Sequence, residues 1–444
     1  MHIDLPEKVR FIIKTIEQAG YEAYAVGGCV RDSILKREPD DWDITTSADP
    51  QTVKSLFRRT IDTGIQHGTV TVMLDKEGFE VTTYRIDGKY EDSRHPSEVI
   101  FTPSLEEDLK RRDFTINAMA YNEEKGLIDL YDGIKDIERQ QIRCVGDPRE
   151  RFHEDALRIM RAVRFCAQLG YELDPDTAAA VKELASTLLK ISAERIQTEL
   201  LKLVLSPHPD YLLLAYRYGV TAVVLPEFDR CMETEQKNPH HCYTVGEHTL
   251  AAMQAAPCDK VVRLTMLFHD FGKPLTMTED EQGVRHFHGH AAVSEKLASQ
   301  ILHRLRFDND TIRRVSRLVL YHDYGNNVAP TPAIVRRAVY KVGEDLFLQL
   351  LQVRQADLDA QSAYQKEEKQ KCLDQWKEAY HDLLERQECV SLKTLAVTGK
   401  DLLDAGMQPG REVGETLQKM LQLVLDNPQM NEKEALLKHF LPIQ

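Results

Sequence analysis

The chain has 444 residues, 42% hydrophobic and 29% charged, with a formal net charge of −14. Such a length exceeds what one core sustains, so several domains are expected, and no apolar run reaches the ~20 residues a membrane span needs. The acidic balance argues against a general affinity for nucleic acid, although a local basic surface is all that binding requires.

The N-terminal stretch MHIDLPEKVRFIIK lacks the order of a signal peptide. Residues 7–19 carry the spacing of an amphipathic helix, and EAYAVGG reads as a strand ending in a turn. RDSILKR predicts a short helix and DWDIT a strand. TVTVML and FEVTTYR predict a hairpin punctuated by Gly68 and Gly78. From Asp147 onward strand signals fade, and EDALRIMRAVRFCAQLG, TAAAVKELASTLLK, AERIQTELLKLVL and DYLLLAYRYG all read as helices. SPHPD and LPEFDRCMETEQKNPHH interrupt them as domain joints. Residues 360–390 predict a long charged helix, and the last fifty residues a small helical unit turning at GMQPG. Two basic stretches, RIMRAVRF and HRLRFDNDTIRRVSR, serve equally as RNA-facing surface or as solvated helix faces. The eight cysteines (29, 144, 166, 231, 242, 258, 372 and 389) form no CxxC, which points to reduced thiols and a cytoplasmic setting.

Two clusters carry chemistry. In the first, Gly27 and Gly28 precede Arg31, and Asp41 and Asp43 follow. On a strand, residues i and i+2 share a face, so the two carboxylates project together ~7 Å apart. Held there, they repel unless a cation sits between them, and Mg²⁺ shared with substrate phosphates resolves the repulsion. The glycines allow a phosphate close to the backbone and Arg31 neutralises it. A turn followed by a solvated strand edge would explain either pair taken alone.

The order VGGxVRD, then DxD, then TGIQHGTVTV, FEVTTYRIDGKYEDSRHPSEVIF and LEEDLKRRDFTINAMAY resembles the class II tRNA nucleotidyltransferase and bacterial poly(A) polymerase family, over about residues 20–205. Asp40 departs from it, standing where relatives often carry Lys. The resemblance implies a polymerase-β-like α+β head followed by an all-α neck and body. It also implies two metal ions at Asp41 and Asp43 and in-line attack of an RNA 3′-hydroxyl on the nucleotide α-phosphate. Glu80 alternates away from Phe79, Val81 and Thr83, and so is a candidate third carboxylate or else a surface residue. Arg111, Arg112, Asp113 and Asn117 of RRDFTIN would bind the nucleotide, with Asp113 also a candidate helix cap. Asp155 and Arg158 match the family's EDxxR motif. At i and i+3 on a helix face they would select C and A by donor–acceptor pattern, or else form a plain salt bridge. Arg161 and Arg164 on the same basic stretch join the nucleotide-binding set. Arg195 and Glu199 predict a structural i,i+4 pair. The segment Arg85 to Phe101 resembles the flexible loop of CCA- and A-adding members, and TGIQHGTVTV leans towards the tRNA enzymes.

The second cluster is C-terminal. LFHDFGKP supplies His269 and Asp270, with His248 upstream and His290, His322 and Asp357 downstream; His286 and His288 are alternates to His290. The order H…HD…H…H…D resembles the HD-domain phosphohydrolases, and its imidazole–carboxylate mixture suits a divalent transition ion. Lys273 would contact a phosphate. The resulting expectation has four parts: a head at 1–145, a neck and body at 146–230, an HD domain at 231–365 and a helical tail at 366–444. Its function would be CCA addition to tRNA from CTP and ATP, with hydrolysis of 2′,3′-cyclic or monoester phosphates at the HD site. An A-adding enzyme, a poly(A) polymerase, or the HD site as main activity are the alternatives. No membrane partner is expected, and the sequence leaves the oligomeric state open.

Overall fold

The computed structural model describes residues 1–88, 99–326 and 328–441. These pack as two compact units, Met1–Pro226 and Glu227–Gln444. Among the described residues no helix is long and apolar enough to cross a membrane.

The first unit opens with the helix Glu7–Gln18, which buries Val9, Ile12, Ile13 and Ile16. That i, i+3, i+4, i+7 spacing lays one apolar stripe on the sheet beneath. The strands are β1 (Ala23–Val26), β2 (Ile44–Thr46), β3 (Thr60–Gly64), β4 (Thr69–Leu74), β5 (Glu77–Thr83), β6 (Arg85–Asp87), β7 (Val99–Phe101), β8 (Met119–Asn122) and β9 (Gly126–Asp129). Seven of them form one mixed sheet in the order β3-β4-β5-β2-β1-β8-β9. All pairings are antiparallel except β2 with β5. The β4–β5 hairpin forms as the alternation predicts, but Gly68 and Gly78 do not make its turn. Asp75 and Lys76 do, both at positive φ (48° and 71°), as a two-residue hairpin loop requires. Strand β6 pairs β7. The rest of the expected flexible loop, residues 89–98, lies outside the described residues.

Beyond the sheet the unit is helical. Asp147 caps Pro148–Glu154, Asp174 caps Pro175–Leu184, and each of these two helices begins with proline. A carboxylate accepting first-turn N–H groups, followed by a residue with no N–H to satisfy, starts a helix at low cost. The helix Leu157–Leu169 is buried on most of its faces and ends at Gly170, whose φ of 73° makes the left-handed stop. It packs on Ala193–Val204 through a buried ion pair between Arg164 and Glu199, N to O 2.6 Å.

In the second unit a capping box of Thr244 and Glu247 starts Val245–Ala255, and Asp259 caps Lys260–Phe268. His290–Arg304, Asn309–Tyr321 and Phe347–Asp359 complete a bundle around them. The long charged helix predicted at 360–390 spans Lys366–Glu385 and drives Trp376 fully into the core. A separate small core of Leu402, Met420, Leu421, Val424, Leu425 and Leu436 holds the C-terminal helices. None of the eight cysteines forms a disulfide among the described residues, and Cys242 and Cys258 are exposed.

Candidate functional site

Asp41 and Asp43 do not stand within a strand, as the alternation predicts; β2 begins one residue later, at Ile44. The ladder nevertheless continues, since the Val26 N–H donates to the Asp43 carbonyl at 3.0 Å. In the parallel β2–β5 pairing Ile44 opposes Val81, and one residue back the same register sets Asp43 beside Glu80. Asp41 and Glu80 are both open to solvent. Crowding by protein atoms pushes the Asp43 carboxyl up to about 6, and the charges of Asp41 and Glu80 add to the shift, while Arg112 opposes it. Asp43 retains solvent-exposed surface. Three carboxylates brought together, two of which raise the proton affinity of the third, are a fit for a hard divalent cation, which removes the repulsion.

Around them the basic side chains are already engaged. Gly27 has φ 85°, and a Cβ there would lie 3.1 Å from the Arg112 guanidinium. Glycine therefore serves both the backbone turn and the approach of Arg112. Arg31 is buried and chelates its neighbour Asp32 at 2.9 and 2.8 Å, while its third nitrogen donates to Asn117 at 2.6 Å. It is thus neutralised by protein, not held open for a phosphate. Asn117 in turn donates to Asp113 at 3.3 Å, and Arg161 closes the chain on the other Asp113 oxygen at 2.8 Å. Burial opposes ionisation of Asp113, but Arg161 and Arg158 outweigh it and hold the carboxyl below its usual range. Asp113 caps no helix in this arrangement; Phe114 occupies the position before the short turn Thr115–Asn117. Arg111 and Arg112 both pair with the fully buried Asp108, at 2.7 and 3.4 Å.

The EDxxR stretch is also not one continuous helix. The chain leaves helical geometry at Asp155 (φ −141°, ψ 104°), between Pro148–Glu154 and Leu157–Leu169. The i,i+3 ion pair does not form. Arg158 bonds Glu154 at 2.5 Å and the Arg111 carbonyl at 2.9 Å. Asp155 is clasped by Arg195 at 2.6 and 3.2 Å. Arg195 and Glu199 do not pair with each other as their spacing predicts, because each finds a partner elsewhere in the unit: Asp155, in the break between two helices, for Arg195, and Arg164 for Glu199. Arg164 also stacks over the Phe165 ring, 3.7 Å from its centroid.

The second cluster converges fully. His248 lies inside its helix, His269 and His322 at helix C-terminal ends, His290 at a helix start and Asp357 near a helix end. Two groups result, His248–His269–Asp357 and Asp270–His290–His322, each with ligand atoms within 4.8 Å of one another. In His269, His290 and His322 the Nδ1 sits 2.7, 2.9 and 2.7 Å from the carbonyl three residues earlier. Each Nδ1 therefore carries the proton and each Nε2 lone pair faces inward, the arrangement of metal-binding imidazoles. His269 Nε2 is buried without a hydrogen-bond partner. Burial pulls the His290 imidazole down to about 4, so it is neutral and able to ligate at neutral pH. The residues fit a transition ion. His286 is drawn aside to Asp280 at 2.7 Å, whereas His290 joins Asp270 and His322. Lys273 is buried, 2.7 Å from Asp270 and 2.8 Å from Gln236.

A cavity of about 390 Å³ opens on this cluster, with Lys273, His241, His288, Arg354 and Lys369 in its wall. Lys369 comes from Lys366–Glu385, and His241 touches His248 ring to ring, 4.8 Å between centroids. Reasoning from the sequence missed both. Neither lies in a motif, and no spacing ties a lysine in a charged helix to histidines a hundred residues earlier.

Comparison with known proteins decides the family. Residues 23–143 match the Poly A polymerase head domain, residues 170–232 the probable RNA and SrmB-binding site of polymerase A, and residues 275–440 the putative tRNA nucleotidyltransferase domain 2. The chain is 38% identical to the CCA-adding enzyme of Levilactobacillus brevis, over 97% of its own length and 96% of the relative's. The chain belongs to the CCA-adding enzyme family. It is 35% identical to the Pediococcus pentosaceus member over 97% and 96% of the two lengths. Among solved structures, the Bacillus stearothermophilus CCA-adding enzyme in complex with CTP superimposes with a TM-score of 0.71 at 29% identity, covering 97% and 96%. The Thermotoga maritima CCA-adding enzyme complexed with tRNA shares the fold, with a TM-score of 0.60 at 18% identity over 98% of each chain. The chain is accordingly a nucleotidyltransferase with a polymerase-β-like α+β head and a helical body.

Proposed function

We propose that this chain completes tRNA 3′ ends by adding C, C and A from CTP and ATP, its active centre at Asp41, Asp43 and Glu80. The observation that carries the reading is the β2–β5 register, which sets Asp43 beside Glu80 with Asp41 two residues upstream. These carboxylates would hold Mg²⁺, which when bound supplies charge neutralisation for the triphosphate and activation of the attacking hydroxyl. The tRNA 3′-oxygen attacks the α-phosphate and pyrophosphate leaves. Gly27 and Gly28 admit the phosphates, and Arg111 and Arg112, both paired with Asp108, would contact them. The chain Arg31–Asn117–Asp113–Arg161, with Arg164 behind it, positions the nucleotide. Asp155 and Arg158 read the base: the carboxylate accepts from an exocyclic amino group and the guanidinium donates to ring acceptors. The four-part division at 145, 230 and 365 belongs to the same proposal.

The test is single-nucleotide incorporation on tRNAs ending at the discriminator base, at C and at CC, with each NTP separately. Stepwise C, C, A addition that then stops is the expected result. Addition of A alone to the CC-ended tRNA would make it an A-adding enzyme, and long A tails a poly(A) polymerase.

A second reading concerns the histidine cluster, and its support is the convergence of all six expected ligands. We read it as a metal-dependent phosphohydrolase acting on 2′,3′-cyclic phosphates, 2′-phosphates or phosphomonoesters, with Lys273 and Lys369 offering cations to the phosphate. Opening of a 2′,3′-cyclic phosphate to a monoester, or release of inorganic phosphate from a 2′- or 3′-phosphorylated end, lost on His269→Ala, is the expected outcome. Absence of hydrolysis with Mn²⁺, Co²⁺ and Ni²⁺ alike would remove this reading.

A further inference from the structure

We infer that Arg354 seats a second phosphate in the cavity at the histidine cluster, namely the internucleotide phosphodiester next to the terminal phosphate of an RNA 3′ end. The inference rests on reading that cluster as a phosphohydrolase and goes beyond it in substrate class: an oligonucleotide end, not a mononucleotide.

Arg354 stands on the helix Phe347–Asp359, about one turn before Asp357, and lines the cavity. It is only 6% exposed. Arg31, Arg164 and Arg336 are comparably buried, and each pairs with a carboxylate, Asp32, Glu199 and Glu388 respectively. Arg354 has no such partner among the described residues. Its Nη2 donates to the Gly325 carbonyl at 3.4 Å, and its Nε is buried with no hydrogen bond. The guanidinium carbon lies 5.2 Å from the centre of the Trp376 ring. Such stacking engages a face of the cation and leaves its N–H edge to donate elsewhere. Burial pulls the guanidinium down to about 10, and the charges of Asp357 and Asp323 offset this only in part. A buried cation without a paired counter-charge is costly until an anion joins it.

The chemistry of the cavity says which anion. The hydrolase reading gives Lys273 and Lys369 to the phosphate at the histidines, and Arg354 is the cation left over. A cavity of about 390 Å³ is larger than one phosphate needs and lies in the range of sites that take whole small molecules. A nucleoside 2′,3′-cyclic phosphate brings a single phosphate. An RNA end brings a second one, a nucleotide upstream, whose two free oxygens suit the fork of a guanidinium.

The experiment gives the full-length chain, with Mn²⁺, two dinucleotides that end in a 2′,3′-cyclic phosphate. One has the natural phosphodiester linkage and the other a neutral methylphosphonate in its place. The natural compound is expected to be opened with a kcat/KM about tenfold higher, as one charge-assisted contact predicts. Arg354→Met, which keeps an apolar chain against Trp376, should treat both compounds as the unsubstituted chain treats the methylphosphonate. Arg354→Gln is a second variant with the same expectation, and circular dichroism checks that each is folded. Equal turnover of the two compounds by the unsubstituted chain overturns the inference, while the hydrolase reading stands. A tenfold difference that survives in a folded variant overturns it too, since another group then holds the linkage. No cleavage of either compound with Mn²⁺, Co²⁺ or Ni²⁺ removes the hydrolase reading. Titration calorimetry then decides the seat: binding of the phosphodiester compound about tenfold tighter than the methylphosphonate supports it, and equal binding overturns it.

Discussion

Replacing Arg195 with Met removes the clasp on Asp155 while keeping most of the side chain's packing. The two bonds are charge-assisted, at 2.6 and 3.2 Å, and the partners' side chains are only 23% and 18% exposed. Exposed ion pairs contribute roughly 0.2–1 kcal/mol, and breaking a buried one costs roughly 3–5 kcal/mol. An intermediate setting gives about 2 kcal/mol of stability, readable from urea denaturation. Function should suffer separately. Arg195 holds the carboxylate in one orientation, and a well-oriented donor–acceptor pair discriminates between bases by roughly 1–3 kcal/mol. If that orientation is lost, the preference for CTP over UTP should fall about 10- to 100-fold. The assay is kcat/KM for each nucleotide on a tRNA lacking its CCA end. Arg195→Lys, which keeps the charge but not the two-pronged geometry, should fall between. A variant destabilised by about 2 kcal/mol yet unchanged in CTP-to-UTP selectivity would refute the reasoning, leaving Arg195 a structural clasp only.

Asp43→Asn should abolish nucleotide addition, yet raise the thermal stability of the metal-free chain at pH 7. Folding raises the Asp43 pKa to about 6, so the folded state holds that proton more tightly. Ionised Asp43 then costs stability that sets in as pH climbs from about 4 through 6. The stabilisation by Asn should vanish below pH 4, and an equal gain at all pH values would contradict this account. Gly27→Ala should cost about 1–3 kcal/mol, because φ 85° strains an L-residue and the new methyl meets Arg112; chemical denaturation reads it, and a neutral result would place the turn elsewhere. Lys369→Ala should raise KM for a phosphate ester at the histidine site about tenfold, as loss of one charge-assisted bond predicts, and leave CCA addition unchanged. An unaltered KM would take Lys369 out of the phosphate contacts.

Legibility in the sequence followed chain distance and element type. Asp41, Asp43 and the paired glycines sit inside one short stretch, so their association is written locally. The six histidine-site ligands were also legible, because each is a residue type uncommon in an apolar core and the HD pair anchors the order. Local pattern misled elsewhere. It extended the strand through Asp41, where the ladder needs only the Asp43 carbonyl. It joined Asp155 and Arg158 on one helix, although the backbone turns at Asp155 so that its side chain accepts the Leu157 N–H at 3.1 Å. It paired Arg195 with Glu199, when partners distant in the chain offered better-buried contacts. An i,i+4 pair on an exposed face is worth only roughly 0.2–0.5 kcal/mol, and a tertiary partner in a buried place outbids it. That competition cannot be read from spacing, because it depends on which helix packs opposite.

The clasp on Asp155 also bears on how a protein without a template could tell bases apart. An ionised carboxylate has about four lone-pair positions. Oδ1 takes the Leu157 N–H and one Arg195 nitrogen, and Oδ2 takes the other Arg195 nitrogen. One position remains, on Oδ2. A single amino proton, from cytosine or adenine, fills it. A carbonyl oxygen at the same edge, as uracil or guanine presents, would meet an acceptor that cannot turn away while Arg195 holds it. Leaving such a group unpaired costs roughly 1–3 kcal/mol, or about 5- to 150-fold in selection. On this argument the enzyme selects less by rewarding C and A than by penalising U and G. Arg195 matters because it denies Asp155 the rotation that would relieve the penalty. Asp155→Asn should then lose that penalty, since a flipped amide offers a donor to the wrong base, and uridine incorporation should rise more than cytidine incorporation falls. A uniform loss for all four nucleotides would mean that the carboxylate supports the fold of the junction and does not read the base.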